Sequence, residues 1–214
     1  MESSGASRLR DLAFDVDRAL SPGDGWCSRD KAHTLAAIIV ALRPRVVIEL
    51  GVWMGGSAIP MALALWTVGS GQLVAIDAWS AEMSVAGQEA EIHRTWWAGM
   101  GECGHLRAFE TFLSRLRALG IPPDHCTVRR QRTDEALVPP SIDLLHHDAN
   151  HGPQVLADIE RWTPAIRIGG MLILDDLDWA GGHVLRARDR AVELGFIELY
   201  SLGTGCVMQR VHRV

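Results

Sequence analysis

Several kinds of residue are scarce in this chain, and each scarcity excludes something. Only four of its 214 residues are cysteine (Cys27, Cys103, Cys126 and Cys206), far apart and without a C-x-x-C pair. That argues against a disulfide framework and a structural zinc site, and for a reducing compartment. Basic residues are outnumbered, 21 against 26 acidic, and Lys31 is the one lysine; the formal net charge is -5. A protein that grips nucleic acid or an anionic membrane by bulk charge needs the opposite balance. The first residues, M-E-S-S-G-A-S-R-L-R-D, have no apolar stretch that reads as an export signal, so the cytoplasm is the expected location. Charge is missing altogether from Leu50 to Ile76, yet Gly51, Gly55, Gly56, Pro60, Gly69 and Gly71 interrupt that run. It reads as a buried strand, a helix and a second buried strand rather than a membrane span.

What is present is ordinary globular material: 48% apolar and 22% charged residues, in a length that suits one domain over 1–214. Helical patterns at 8–20 and 30–42, separated by the breakers S-P-G-D-G, predict a helical cap over 1–45. Beyond Pro44, short apolar runs at 46–50, 73–77, 126–130, 142–148 and 171–176 alternate with helical patterns at 57–67, 81–119, 153–166 and 183–194. The 81–119 stretch has room for two or three helices. This alternation predicts an α/β fold, a doubly wound Rossmann-like and mostly parallel sheet of about seven strands. At the end, two strand-like runs joined by L-G-T-G read as a hairpin, which makes the last strand antiparallel.

Chemistry concentrates where strands end. V-V-I-E-L-G-V-W-M-G-G-S sets Glu49 at the last turn of the first strand, then glycines, then Ser57 as the expected cap of a helix. The pattern is E-x-G-x-x-x-G rather than G-x-G-x-x-G, which favours a ligand with an ammonium group over a pyrophosphate. Asp77 ends the second strand, where an acid can accept hydrogen bonds from both ribose hydroxyls of an adenosine. Asp148 follows the fourth strand, and Asp175 and Asp176 close the fifth. Three carboxylates brought to one edge repel unless a cation joins them, and oxygen donors favour Mg²⁺, with Mn²⁺ or Ca²⁺ able to take the same place. H-x-D at His146 and Asp148 also spells part of a non-haem iron triad, but 2-oxoglutarate-type triads sit on β-sandwiches, not on alternating strands and helices. Asp158, within a helix, is expected to face solvent or cap a neighbour.

E-L-G-V-W-M-G-G-S resembles the first motif of class I S-adenosylmethionine-dependent methyltransferases. The resemblance implies Gly51 and Gly55 near the methionine moiety and Glu49 near its ammonium. A-I-D-A-W is similar to the second motif, which implies Asp77 on the ribose, and R-R-Q-R-T-D-E-A-L to the adenine-edge loop, with Thr133 as the contact. Ser57, Trp79 and Asp148 complete the expected cofactor contacts. The likeness runs from Arg45 to about Trp179. The acids Asp148, Asp175 and Asp176 further resemble the metal site of O-methyltransferases of the catechol and macrolide-sugar (macrocin) types. In the catechol type a lysine three residues beyond the first metal aspartate is the base. His151 stands at that offset, as a histidine does in the macrolide-sugar enzymes, which implies His151 as catalytic base.

Eight tryptophans against one tyrosine suggest apolar walls for an aromatic ring or a sugar face. Trp79, Trp96, Trp97 and Trp179 fall in expected loops or in the insertion near the active edge, Trp96 and Trp97 within a lid or insertion over 80–120; Trp53, Trp66 and Trp162 are expected in the core. The expected activity is methyl transfer to a small-molecule hydroxyl, without nucleic-acid or membrane partners and with a homodimer or higher homo-oligomer open. Two alternatives stand beside it: a metal-assisted hydroxylase on the same fold, and a non-catalytic subunit that binds S-adenosylmethionine.

Overall fold

The computed structural model of the chain describes residues 5–20 and 26–212; the breaker cluster at 21–25 lies outside them. Two helices, α1 (Gly5–Ala19) and α2 (Arg29–Leu42), precede β1 (Val46–Leu50). Then follow α3 (Ala58–Val68), β2 (Gln72–Asp77), α4 (Ala81–Val85), α5 (Glu91–Ala118), β3 (Cys126–Arg130) and β4 (Ile142–His147). The chain continues through α6 (Gln154–Trp162), a short 3-10 turn, β5 (Ile166–Leu174), α7 (His183–Glu193), β6 (Phe196–Leu202) and β7 (Gly205–Arg210).

The strands form one seven-stranded sheet in the order β3-β2-β1-β4-β5-β7-β6. β7 pairs antiparallel with both β5 and β6, and the other neighbouring pairs are parallel. The hairpin read from L-G-T-G therefore inserts the last strand between β5 and β6, with Gly203 at φ 63° in its turn, a conformation glycine adopts at no steric cost. Because successive strand residues face opposite ways, the sheet carries two cores. Val47, Leu73, Leu144 and Ile173 pack with α1, α2, α3 and α5. Ile48, Ile76, Leu145 and Leu172 pack with α6 and α7.

The charge-free run resolves into the end of β1, α3 and β2, and among the described residues no helix is long and apolar enough to cross a membrane. The 81–119 stretch becomes α4 and a long α5 broken at Gly101, whose φ 58° and ψ 179° are not helical. β5 begins five residues earlier than its apolar core suggests, because Ile166 to Gly170 extend it, and it stops at Leu174, which leaves Asp175 and Asp176 in the loop beyond. All the parallel strands deliver their C-terminal ends to one edge, and the loops there form the site.

Candidate active site

A cavity of about 740 Å³ opens along that edge. Its first half is built on β1 and β2. Gly51 has φ +82°, and a Cβ there would lie 2.1 Å from the carbonyl oxygen of Asp148, so glycine lets the loops after β1 and β4 cross. Gly55 also has positive φ, but its Cβ would strike the Phe112 ring at 2.3 Å; this glycine makes room for α5, a packing reason the sequence did not reveal. Asp77 is held by backbone. Its Oδ2 accepts the amides of Val52 (2.8 Å) and Trp53 (2.9 Å), and its Oδ1 accepts the amide of Trp79 (2.6 Å). Trp53 and Trp79 have φ of 50° and 43°, left-handed geometry that costs roughly 1–3 kcal/mol per residue. Both aim their amides at this carboxylate.

Glu49 lies wholly buried beneath this half. Its Oε1 accepts from the Ser57 hydroxyl and from His146 Nδ1 at 3.0 Å, and its Oε2 has no partner among the described residues. Ser57 borders the cavity but is not the side-chain cap expected for α3, since its hydroxyl turns to Glu49. Trp79 departs further from expectation. Its ring is fully buried against Phe109 and Phe112 at 4.8 and 6.1 Å, and its indole N–H donates to Trp53 O. It is a core residue, whereas Trp53, expected in the core, lines the cavity. Trp66 is 41% exposed, and Trp162 is buried as expected.

The second half is built on β4 and β5. β4 carries two buried histidines that face opposite ways: His146 toward Glu49, and His147 with Nε2 3.1 Å from Asp158 Oδ2. Asp158, expected at the surface, is fully buried and also accepts from Thr133 (2.7 Å) and Gln154 (3.0 Å). Its acid satisfies buried donors that would otherwise cost desolvation energy. Thr133 lines the cavity while it is tied to Asp158.

Asp148 comes near both Asp175 and Asp176, but among the described residues no single set joins the three; two sets of ligand atoms lie within 4.8 Å of one another: His146 with Asp148 and Asp175, and Asp148 with His151 and Asp176. Within the first set stands a residue to which the sequence analysis gave no role. Lys31 of α2 is buried, with its Nζ 3.3 Å from Asp148 Oδ2 and bonded to Asp175 Oδ2. Burial works to discharge it, but Asp148 beside it more than reverses that, so its pKa is raised and the ammonium persists. For Asp148 burial likewise opposes ionisation, and Lys31 and His151 overcome it, which holds its pKa below the usual carboxylate range. The available signal was Lys31's being the lone lysine in an arginine-rich chain, three residues past Ser28, whose side chain caps α2.

His151 Nε2 lies 3.7 Å from Asp148 Oδ1 and 3.5 Å from Asp176 Oδ2 and has no hydrogen-bond partner among the described residues. Its ring stacks on Trp179 at 4.6 Å, and Trp179 donates to Gln88 Oε1. Asp176, at φ 54°, is fixed by the Thr204 hydroxyl. The α4–α5 segment borders the cavity through Met83, Gln88, Trp96 and Trp97, and Asn150 Nδ2 donates to Met83 O and Ala86 O, each at 2.7 Å. Trp26, Trp53, Trp96 and Trp97 cluster on one wall, with ring centroids 4.7–6.0 Å apart. The cavity also meets Cys27, whose thiol burial pushes up to about 12, so it stays protonated and is a poor nucleophile.

Residues 48–177 match the model of a family described as a methyltransferase domain. Among solved structures, the O-methyltransferase NovP is 14% identical, with a TM-score of 0.69 over 97% of this chain and 98% of that one. The O-methyltransferase TomG from Streptomyces achromogenes, involved in tomaymycin synthesis and solved with SAM, is 17% identical, with a TM-score of 0.61 over 99% and 92%. An O-methyltransferase from Bacillus cereus, solved with SAH, is 18% identical, with a TM-score of 0.57 over 96% and 91%. No curated protein sequence matches the chain.

Proposed function

The chain belongs to the methyltransferase family of the class I, S-adenosylmethionine-dependent kind, and from that premise we propose that it methylates a hydroxyl of a small molecule. One observation carries the proposal: a single cavity is lined both by Gly51 and Asp77 and by Asp148, His151 and Asp176, so cofactor and acceptor can meet within it. Bound S-adenosylmethionine supplies the activated methyl group. Asp77, preset by three amides, retains a lone pair on Oδ1 for a ribose hydroxyl. Thr133 borders the adenine side, and Glu49 adds negative charge beneath the methionine side. His151 Nε2, free of any strong partner, takes the hydroxyl proton as the oxygen–methyl bond forms and the sulfur–methyl bond breaks. The tryptophan wall and the α4–α5 cover exclude water and align the acceptor, and alignment is the larger part of such catalysis.

A divalent cation belongs to this reading. The oxygen donors of Asp148 and Asp176, beside the unpartnered His151 Nε2, fit Mg²⁺, Mn²⁺ or Ca²⁺. Asp175, the third ligand expected from sequence, is already engaged by Lys31. An ion held there would acidify the acceptor hydroxyl. We place the enzyme in the cytoplasm on the strength of its thiols, and light scattering would report whether it forms a homodimer or higher homo-oligomer.

The test begins with the purified protein, denatured and its released small molecules weighed: S-adenosylmethionine or S-adenosylhomocysteine is expected. Calorimetry with S-adenosylhomocysteine should give saturable binding. Binding of NAD in its place would sink the reading. With the acceptor known, EDTA should abolish turnover and Mg²⁺ restore it, whereas full activity in excess EDTA, after slow exchange is ruled out, removes the ion from the mechanism.

A further inference from the structure

The two cation positions at the active edge differ in depth, and Lys31 treats them differently. In the inner one, His146 is wholly buried, its Nδ1 is held by Glu49, and its Nε2 has no partner among the described residues. A carboxylate bonded to the imidazole of a histidine within a ligand cluster is the arrangement that orients metal-binding histidines. Yet a cation is already there. The Lys31 ammonium bonds Asp175 Oδ2 and lies 3.3 Å from Asp148 Oδ2, with its side chain 7% exposed. An ammonium and a metal ion sharing those two oxygens would repel strongly at such separations. The outer position uses Asp148 Oδ1 and Asp176 Oδ2, with His151 beside them. Three carboxylates and one ammonium leave two negative charges, which one divalent ion neutralises.

We propose that Lys31 is the resident cation of the His146–Asp148–Asp175 position and confines a divalent ion to the outer one, between Asp148 and Asp176. This deepens the methyl-transfer reading and assigns Lys31 as a positioning residue, since it acts through the carboxylates. Fixing Asp148 Oδ2 and Asp175 Oδ2 decides which oxygens remain to face the acceptor. It also ties the N-terminal helices to the active edge.

The experiment counts bound Mn²⁺ by electron paramagnetic resonance on the full chain. Lys31→Met, uncharged and of similar length, should bind one Mn²⁺ more per chain than wild type, and Lys31→Arg should keep the wild-type count. Equal counts in wild type and Lys31→Met, in a variant that still binds S-adenosylhomocysteine, would overturn the proposal. Should Lys31→Met fail to fold, the wild type suffices. ¹⁵N-lysine labelling marks this one side chain, and its ammonium signal should remain slowly exchanging as Mg²⁺ is added. Release to a fast-exchanging, solvent-like signal would overturn the proposal equally. Loss of S-adenosylhomocysteine binding in wild type sinks the methyltransferase reading and leaves the ion counts standing.

Discussion

Asp143 and Asp148 stand at opposite ends of the same strand and are used in opposite ways. Near the start of β4, Asp143 Oδ2 accepts the amides of Arg45 and Val46 at 2.8 and 2.9 Å, and Oδ1 takes the Arg167 guanidinium. Just past the end of β4, Asp148 accepts no such pair of amides in the described hydrogen bonds; it faces Lys31 and His151, side chains from other segments. An acid saturated by backbone and an arginine stitches strands together. An acid poised among a buried ammonium and an unpartnered imidazole keeps its charge available to a ligand.

The sharpest way to break that contrast is His151→Ala. If the far end of β4 is the reacting end, kcat should fall by about 10²–10⁴ with S-adenosylhomocysteine affinity unchanged. A kcat near wild type, with stability altered by roughly 1 kcal/mol or less, would reduce His151 to a loop residue. Trp79→Ala tests where the reacting end stops and the core begins. Removal of a fully buried tryptophan should cost about 3–5 kcal/mol of stability in urea unfolding; intact stability with weakened ligand binding would return Trp79 to the cavity wall. Next comes Asp77→Ala, where calorimetry should register a loss of roughly 1.5–3 kcal/mol in cofactor affinity per lost charged hydrogen bond. Unchanged affinity would make Asp77 a purely structural organiser of the loop amides, the counterpart of Asp143.

Asp143→Asn should have the smallest effect, and only in acid. Burial raises the Asp143 carboxyl, but Arg167 and the two amides more than reverse this, so its folded pKa lies below the ordinary value. Its ionised form therefore contributes stability above the unfolded value of about 4, and that contribution is lost as pH falls toward the depressed folded value. The variant should flatten the acid limb of a stability-versus-pH curve by about 1 kcal/mol or less, given the exposure of Arg167. A curve that keeps its full slope would show that the carboxylate's charge is not what joins these strands.

The strand-helix alternation and the antiparallel hairpin were legible because apolar runs and turn residues are local signals. The acids of the edge were legible for the same reason: Glu49, Asp77, Asp148, Asp175 and Asp176 announce themselves by standing at or just beyond strand ends. Tryptophan was not. Trp53 and Trp79 both sit in glycine-rich or short loops, and only the approach of Phe109 and Phe112 from α5 buries one and leaves the other at the cavity. Asp158 misled because its position in α6 gives no hint that Thr133 and His147 bring donors to it.

By itself the sequence determined the sheet, its winding and the edge at which chemistry gathers, since each follows from patterns a few residues long. Tertiary structure decided which partner each acid keeps. Lys31 reaches Asp148 across 117 residues of chain and Asp175 across 144, and no periodicity encodes a meeting between segments that far apart. Whether an acid edge holds three free carboxylates or two beside a buried ammonium depends on how α2 meets the loops after β4 and β5. Packing of distant elements settles that, because a buried charge persists only where opposite charge has been brought to it.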